Sequence, residues 1–129
     1  MKRRHALQQL SREHHSALVL ALRIARATDL EARYALLKDV PLVFQRDIAP
    51  HFCREEAELL PRLKSAGAAE LVQRKLDEHE QMRELVMLIG CGELTALSAF
   101  GDLLRTHVRF EERVLFPAAE AMLENFAFE

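Results

Sequence analysis

One stretch of this chain occurs twice. His51-Phe52-Cys53-Arg54-Glu55-Glu56-Ala57-Glu58-Leu59-Leu60-Pro61 is echoed 56 residues later by His107-Val108-Arg109-Phe110-Glu111-Glu112-Arg113-Val114-Leu115-Phe116-Pro117. The histidine, both glutamates, one leucine and the proline recur at the same offsets. A histidine and a glutamate four apart lie on one face of an α-helix, one turn from each other. Two such faces turned toward each other bring two imidazoles and two carboxylates to one point inside a helical bundle. That combination is a metal site before any other residue is considered.

The rest of the chain allows such a bundle. At 129 residues, half of them hydrophobic, it is long enough for one domain, 1–129, with a packed core. Ala, Leu, Glu and Arg dominate, and four glycines and four prolines are the main interruptions. A net charge of −2 gives no electrostatic footprint for nucleic acid or an anionic membrane. The basic start, Met-Lys-Arg-Arg-His, is not followed by an apolar stretch of signal-peptide length before Arg12 and Glu13, so a cytoplasmic protein is expected. Cys53 and Cys91 are then expected to be reduced, and with no Cys-x-x-Cys they read as structural packing residues or as incidental ones.

Helical periodicity predicts a first helix from Leu7 to Ala27, with Leu7, Leu10, His14, Ala17, Leu18, Ala21, Ile24 and Ala25 as its inner stripe. Asp29 is a candidate N-cap for a short helix over Leu30 to Lys38, or for the first part of a longer one. Asp39-Val40-Pro41 reads as a fresh start for a second long helix reaching Lys64, with Pro50 inside it as a kink or a break. Ser65-Ala66-Gly67 is a turn. The third helix spans Ala68 to Ile89, with Leu71, Val72, Lys75, Leu76, His79, Met82, Val86 and Ile89 inward, and Gly90-Cys91-Gly92 ends it. The fourth starts near Glu93 and carries Leu97, Phe100, Leu104, His107, Glu111, Val114 and Leu115, with Pro117 ending or kinking it and an apolar tail at Phe126 and Phe128. Four such amphipathic helices on short turns predict an all-α, up-down-up-down four-helix bundle, roughly 30 Å long.

Six histidines occur, and four of them, His14, His51, His79 and His107, fall at the middle of an inner stripe, one per long helix. One buried imidazole is readily satisfied by hydrogen bonds. Four on one bundle axis are not, and neutral imidazoles left unpaired in an apolar core are costly. Glu55 and Glu111 sharpen the point, because a buried carboxylate needs a partner charge or a metal. Nitrogen and oxygen donors without a thiolate suit iron, manganese or zinc. Six ligands in pseudo-twofold array fit two metals better than one. His14 and His51 would hold one and His79 and His107 the other, with Glu55 and Glu111 bridging. Open positions would remain for an oxo or hydroxo bridge and an exogenous ligand.

The pattern His…His-x-x-x-Glu…His…His-x-x-x-Glu on four helices resembles the hemerythrin-like (HHE cation-binding) family. Glu13-His14, His51-Phe52 with Glu55-Glu56, and His107 with Glu111-Glu112 before Phe116-Pro117 carry the likeness, which runs from Leu10 to Glu120. The resemblance implies a four-helix bundle with a non-haem di-iron centre, two irons joined by an oxo or hydroxo bridge. It also implies a role in binding O2 or in sensing oxygen, iron or redox state. The oxygen carriers of the family place two histidines four apart on the third helix. Here Lys75 and Arg83 flank His79 at those distances, so one imidazole is missing. Water or another carboxylate such as Glu78 or Glu56 would complete that iron. The departure favours sensing or redox chemistry over reversible carriage.

Of the adjacent pair His14 and His15, His14 shares the inner stripe and His15 the flank of Ser11, Val19 and Leu22. Glu56 and Glu112 are expected off-axis, solvated or paired with arginines, or else supporting a histidine N–H. Four rivals stand against this reading. A ferritin-like oxidase needs Glu-x-x-His pairs, which are absent. His79-Glu80 begins like a zinc protease motif, but Arg83 stands where its second histidine belongs. A metal-free interaction module remains, as does a di-iron oxidase, peroxidase or nitric-oxide-handling enzyme.

Overall fold

The computed structural model describes residues 5–123 and the side chains of residues 7–123. The His5 side chain, and the apolar tail expected at Phe126 and Phe128, therefore fall outside the described residues. Every element among the described residues is helical, and they form the expected four-rod bundle.

The first rod is α1 (His5–Arg26). The second runs through α2 (Leu30–Val43), a π-helical turn (Phe44–Ile48), α3 (Ala49–Arg54), a second π turn (Glu55–Leu59) and α4 (Leu60–Ser65). The third is α5 (Ala69–Gly90). The fourth joins α6 (Thr95–Phe110), a third π turn (Glu111–Leu115) and α7 (Phe116–Met122). Packing of α1 and α5 on α6, and of α2 and α4 on α5, closes the bundle.

The ends follow ordinary capping chemistry. The Asp29 carboxylate accepts the Ala32 N–H at 2.8 Å, a cap worth about 1 kcal/mol. Gly67 and Gly92 take φ of 102° and 96°, where an L side chain is strained. At Gly92 the N–H donates to the Ile89 carbonyl and that of Glu93 to the Leu88 carbonyl, closing α5.

Two expectations need correction. The fresh helix start expected at Asp39-Val40-Pro41 is absent, and Leu30–Lys38 is the first part of a longer helix, since α2 continues through Pro41 to Val43. Nor do Pro50 and Pro117 end a helix, because a π turn absorbs each. In the three π turns the N–H groups of Ala49, Leu60 and Phe116 reach back five residues, to Phe44, Glu55 and Glu111. A proline follows directly in every case: Pro50, Pro61 and Pro117. A proline ring collides with the carbonyl four before it, and one extra residue in the preceding turn relieves the collision.

The extra residue also turns the following helix. Leu115, Phe116 and Ala119 face inward after Glu111, whereas Val114, expected inside, is 43 % exposed. In α1 the inner stripe is narrower than expected, with Leu18 exposed and Leu20 buried in its place. Cys53 and Cys91 are unpaired and exposed, not packing residues, and Tyr34 is exposed.

The apolar interior is split in two. One cluster gathers around Leu20, Phe52, Met82, Phe100 and Leu104, the other around Leu7, Leu59, Leu63, Leu115 and Phe116. A layer of polar side chains lies between them. No helix among the described residues is long and apolar enough to cross a membrane.

Candidate metal centre

Each rod supplies one imidazole to that layer: His14 from α1, His51 from α3, His79 from α5 and His107 from α6. Glu55 and Glu111 each open a π turn. All six residues are buried, none more than 4 % exposed. His14 faces the layer and His15 faces outward. Phe116 stacks on His14 at 5.3 Å and Phe52 on His79 at 3.9 Å, so two of the rings are held in plane by packing.

The two carboxylates tie the halves of the layer together. Glu55 reaches His51 Nε2 with one oxygen and His79 Nε2 with the other, each at 3.1 Å. Glu111 reaches His14 Nε2 at 2.7 Å with one oxygen and His107 Nε2 at 3.1 Å with the other. His14, His51, Glu55 and Glu111 form one group, and Glu55, His79, His107 and Glu111 a second. Within each group the inward atoms lie within 4.8 Å of one another.

Every imidazole therefore presents Nε2 inward, and every Nδ1 is held from behind by a carboxylate. Glu13 of α1 accepts from His51 at 2.9 Å, and Glu56 of the second rod from His79 at 2.7 Å. Glu78 of α5 accepts from His107 at 2.6 Å, and Glu112 of the fourth rod from His14 at 2.7 Å. The support runs once around the bundle, each rod holding the histidine of the next. A proton held on Nδ1 in this way leaves Nε2 as the nitrogen that faces a metal. Glu56 and Glu112 are thus not merely solvated or salt-bridged. Glu78 and Glu56 are engaged on the outer side of the rings, so neither takes the position of the missing imidazole. A signal for this ring is present in the chain: each supporting glutamate is the immediate neighbour of an inward residue, as in Glu13-His14, Glu55-Glu56, Glu78-His79 and Glu111-Glu112.

Cations stand behind several of these carboxylates. Arg54 pairs with Glu13, Arg83 lies 3.0 Å from Glu56, and Lys75 lies 2.6 Å from Glu78. Burial works against ionisation of Glu78, yet His107 and Lys75 hold its carboxyl down at about 2. Glu13 and Glu56 are lowered against burial in the same way by their histidine and arginine partners. Burial alone would depress the His51 imidazole, but the carboxylates of Glu55 and Glu111 push it up to about 11. His107 rises to about 9 against burial, through Glu111 and Glu78, with Lys75 pulling back. Glu111 is held well below the usual carboxylate range, against burial, by His107, His14 and His51.

The protein's own hydrogen bonds do not satisfy this layer. His51 Nε2, His79 Nε2, His107 Nε2, both oxygens of Glu55 and Oε2 of Glu111 are buried without a hydrogen-bond partner. Such atoms are expensive singly, and here they converge. A cation at each group would accept their lone pairs together, and an all-nitrogen-and-oxygen donor set suits iron, manganese or zinc. Beside the layer lies a cavity of about 10 Å³, lined by His14, Ile48, His51, Phe52, His107 and Val108 among others. That is room for roughly one water-sized molecule.

Among curated proteins and among solved structures, nothing matches the chain significantly. Residues 5–119, which include the whole polar layer, match the hemerythrin HHE cation binding domain. The chain belongs to the hemerythrin HHE cation-binding family.

Proposed function

We propose that this chain is a cytoplasmic non-haem di-iron protein that binds O2 or a related small ligand, or senses oxygen, iron or redox state. The observation that carries the reading is the set of six buried nitrogen and oxygen atoms that meet in one layer without hydrogen-bond partners. In this assignment His14 and His51 hold one iron and His79 and His107 the other. Glu55 and Glu111 serve both, since each already reaches an imidazole in either half. Bound there, a pair of irons would supply redox equivalents and coordination positions for a small ligand. The protein's part is to keep four Nε2 lone pairs aimed inward, through the carboxylates on Nδ1, and to keep water out, through the two apolar clusters. The cavity beside His14, His51 and His107 has room for a molecule of about the size of water. Exposed, unpaired Cys53 and Cys91 suit a reducing compartment. Residues 1–129 are taken as a single domain.

The test is metal content per chain by elemental mass analysis, on protein purified without added metal and again after anaerobic Fe(II) loading. About two irons per chain, lost in Glu55→Ala and Glu111→Ala, is the expected result. No metal in either preparation would sink the reading. Steady turnover of peroxide or nitric oxide by the loaded protein would replace a binding or sensing role with an enzymatic one.

A further inference from the structure

Lys75 is the one lysine or arginine among the described residues that is buried, and it is completely so. It lies four residues before His79 on α5, hence on the same face and one turn away. Its ammonium sits 2.6 Å from Glu78 Oε1, 3.2 Å from His107 Nδ1 and 4.5 Å above the Phe110 ring. The same Glu78 oxygen accepts from His107 Nδ1 at 2.6 Å. Lysine, glutamate and imidazole thus close a triangle on the outer side of His107, away from its inward Nε2.

Among the described residues, no buried lysine or arginine stands beside the His14–His51 half. Behind His51, Glu13 is backed by Arg54, whose side chain is 38 % exposed. A charge open to water is screened, whereas one buried beside an imidazole is not. Burying an ammonium is costly, and a methionine would fill similar volume without that cost.

We propose that Lys75 is a positioning residue that makes the two halves of the centre unequal. It pins Glu78 onto His107 and sets a positive charge, shielded from solvent, beside the His79–His107 half. Two consequences act in one direction. By sharing the Glu78 oxygen, Lys75 weakens that carboxylate's pull on the Nδ1–H, which makes His107 a poorer electron donor through Nε2. The charge itself also disfavours the more oxidised, more positive metal. Both make a metal bound by His79 and His107 easier to reduce than one bound by His14 and His51. The inference rests on the di-iron reading above.

The experiment loads wild type, Lys75→Met, Lys75→Gln, Lys75→Arg and Arg54→Met anaerobically with Fe(II). Iron per chain and helical circular dichroism are recorded, and then the midpoint potential of the bound iron by spectroelectrochemical titration. The expected result is full iron content with a lower midpoint in both neutral variants at Lys75. Lys75→Arg should return it toward wild type, and Arg54→Met should shift it less. Should Lys75→Met fail to fold, Lys75→Gln keeps a polar group beside Glu78 and carries the same comparison. Unchanged midpoints in folded, iron-loaded neutral variants would overturn the inference and leave the di-iron reading standing. Loss of one iron in those variants, with helicity intact, would overturn it in favour of Lys75 as a direct ligand. A wild-type protein that takes up no iron would remove the reading on which the inference rests.

Discussion

His51 Nε2 and Glu55 Oε2 lie 3.1 Å apart, one helical turn from each other, and neither atom has a hydrogen-bond partner. His107 Nε2 and Glu111 Oε2 repeat the relationship at 3.1 Å, 56 residues along the chain. Atoms at that separation which do not bond each other are aimed past one another, at a shared point. The two pairs define what the layer lacks when no cation is bound, and from this the first prediction follows. In chelator-treated protein, His51→Leu and His107→Leu should each be destabilising, since they leave the buried Glu55 and Glu111 carboxylates, respectively, with one partner fewer. Fe(II) loading should widen the gap, since only the wild type keeps the full ligand set. A cation at a hundredfold excess over its Kd adds about 2.7 kcal/mol, roughly 10 °C in Tm for a chain of this size. Thermal unfolding of both variants with and without iron checks it. A leucine variant still stabilised by iron as strongly as wild type would count against the site.

The carboxylates behind the imidazoles make a separate prediction. Glu13→Gln and Glu56→Gln keep shape and replace a charged acceptor by a neutral one at His51 and His79. Loss of such support typically costs 10–100-fold in metal affinity, without loss of any direct ligand. Glu58→Gln, at an exposed position on the same turn as Glu56, should bind as wild type does. Competition against a coloured chelator measures all three. Equal affinities would mean that the hydrogen bonds on Nδ1 do not govern the lone pairs on Nε2.

The metal-free protein should have a stability optimum in mildly acidic solution. Glu78, lowered from 4.5 to about 2 by His107 and Lys75 against burial, contributes stability that is present above pH 4.5. That stability is lost as pH falls through about 2. His51, raised from 6.5 to about 11 by Glu55 and Glu111 against burial, acts with the opposite sign. Its contribution is full below pH 6.5 and is lost as pH rises toward 11. The chelated protein should therefore be most stable between about pH 4.5 and 6.5. Metal binding should run the other way, because a cation must displace the proton on His51 and on His107. Iron uptake near neutrality should release protons and strengthen as pH rises. Denaturant melts of chelated protein and calorimetry in buffers of different ionisation heat test both halves. Flat melts across the acid range, or uptake without proton release, would contradict the charge state of the layer.

Much of this architecture is legible in the chain because one periodicity governs it. Along α5, Val72, His79, Met82 and Ile89 recur at helical spacing and all are buried. A histidine in the middle of such a stripe must face whatever the other rods bring to the same height. The π turns are not legible from period alone. A single extra residue after Glu111 rotates the helix behind it, which is why Val114 is exposed while Phe116 is buried. Nor is the support ring readable as contacts, since Glu13 meets His51 only once two helices have been rotated and set in height. Lys75 is visible on the inner stripe, but what neutralises it, Glu78 and the Phe110 face, depends on which way α5 turns against α6.

The closest backbone approach that depends on a missing side chain lies between α6 and α1, at Gly101. A Cβ there would fall 3.0 Å from Cγ2 and 3.3 Å from Cβ of Ile24, atoms of a buried β-branched residue with little freedom to turn away. Alanine would recover up to about 1 kcal/mol of helix propensity while forcing the helices apart by a few tenths of an ångström, so its two effects nearly offset. Valine adds two further carbons in the same place, and the strain should dominate. Gly101→Val is expected to destabilise the protein by about 2 kcal/mol or more in urea melts. Much of the loss should be recovered in Gly101→Val/Ile24→Ala, which removes the opposing atoms. Because α1 carries His14 and α6 carries His107, the single variant should also weaken iron binding, whereas the double variant should regain it. A Gly101→Val protein as stable as wild type would show that α1 is free to move away from α6, and the height and spacing of the imidazole layer would then need another cause.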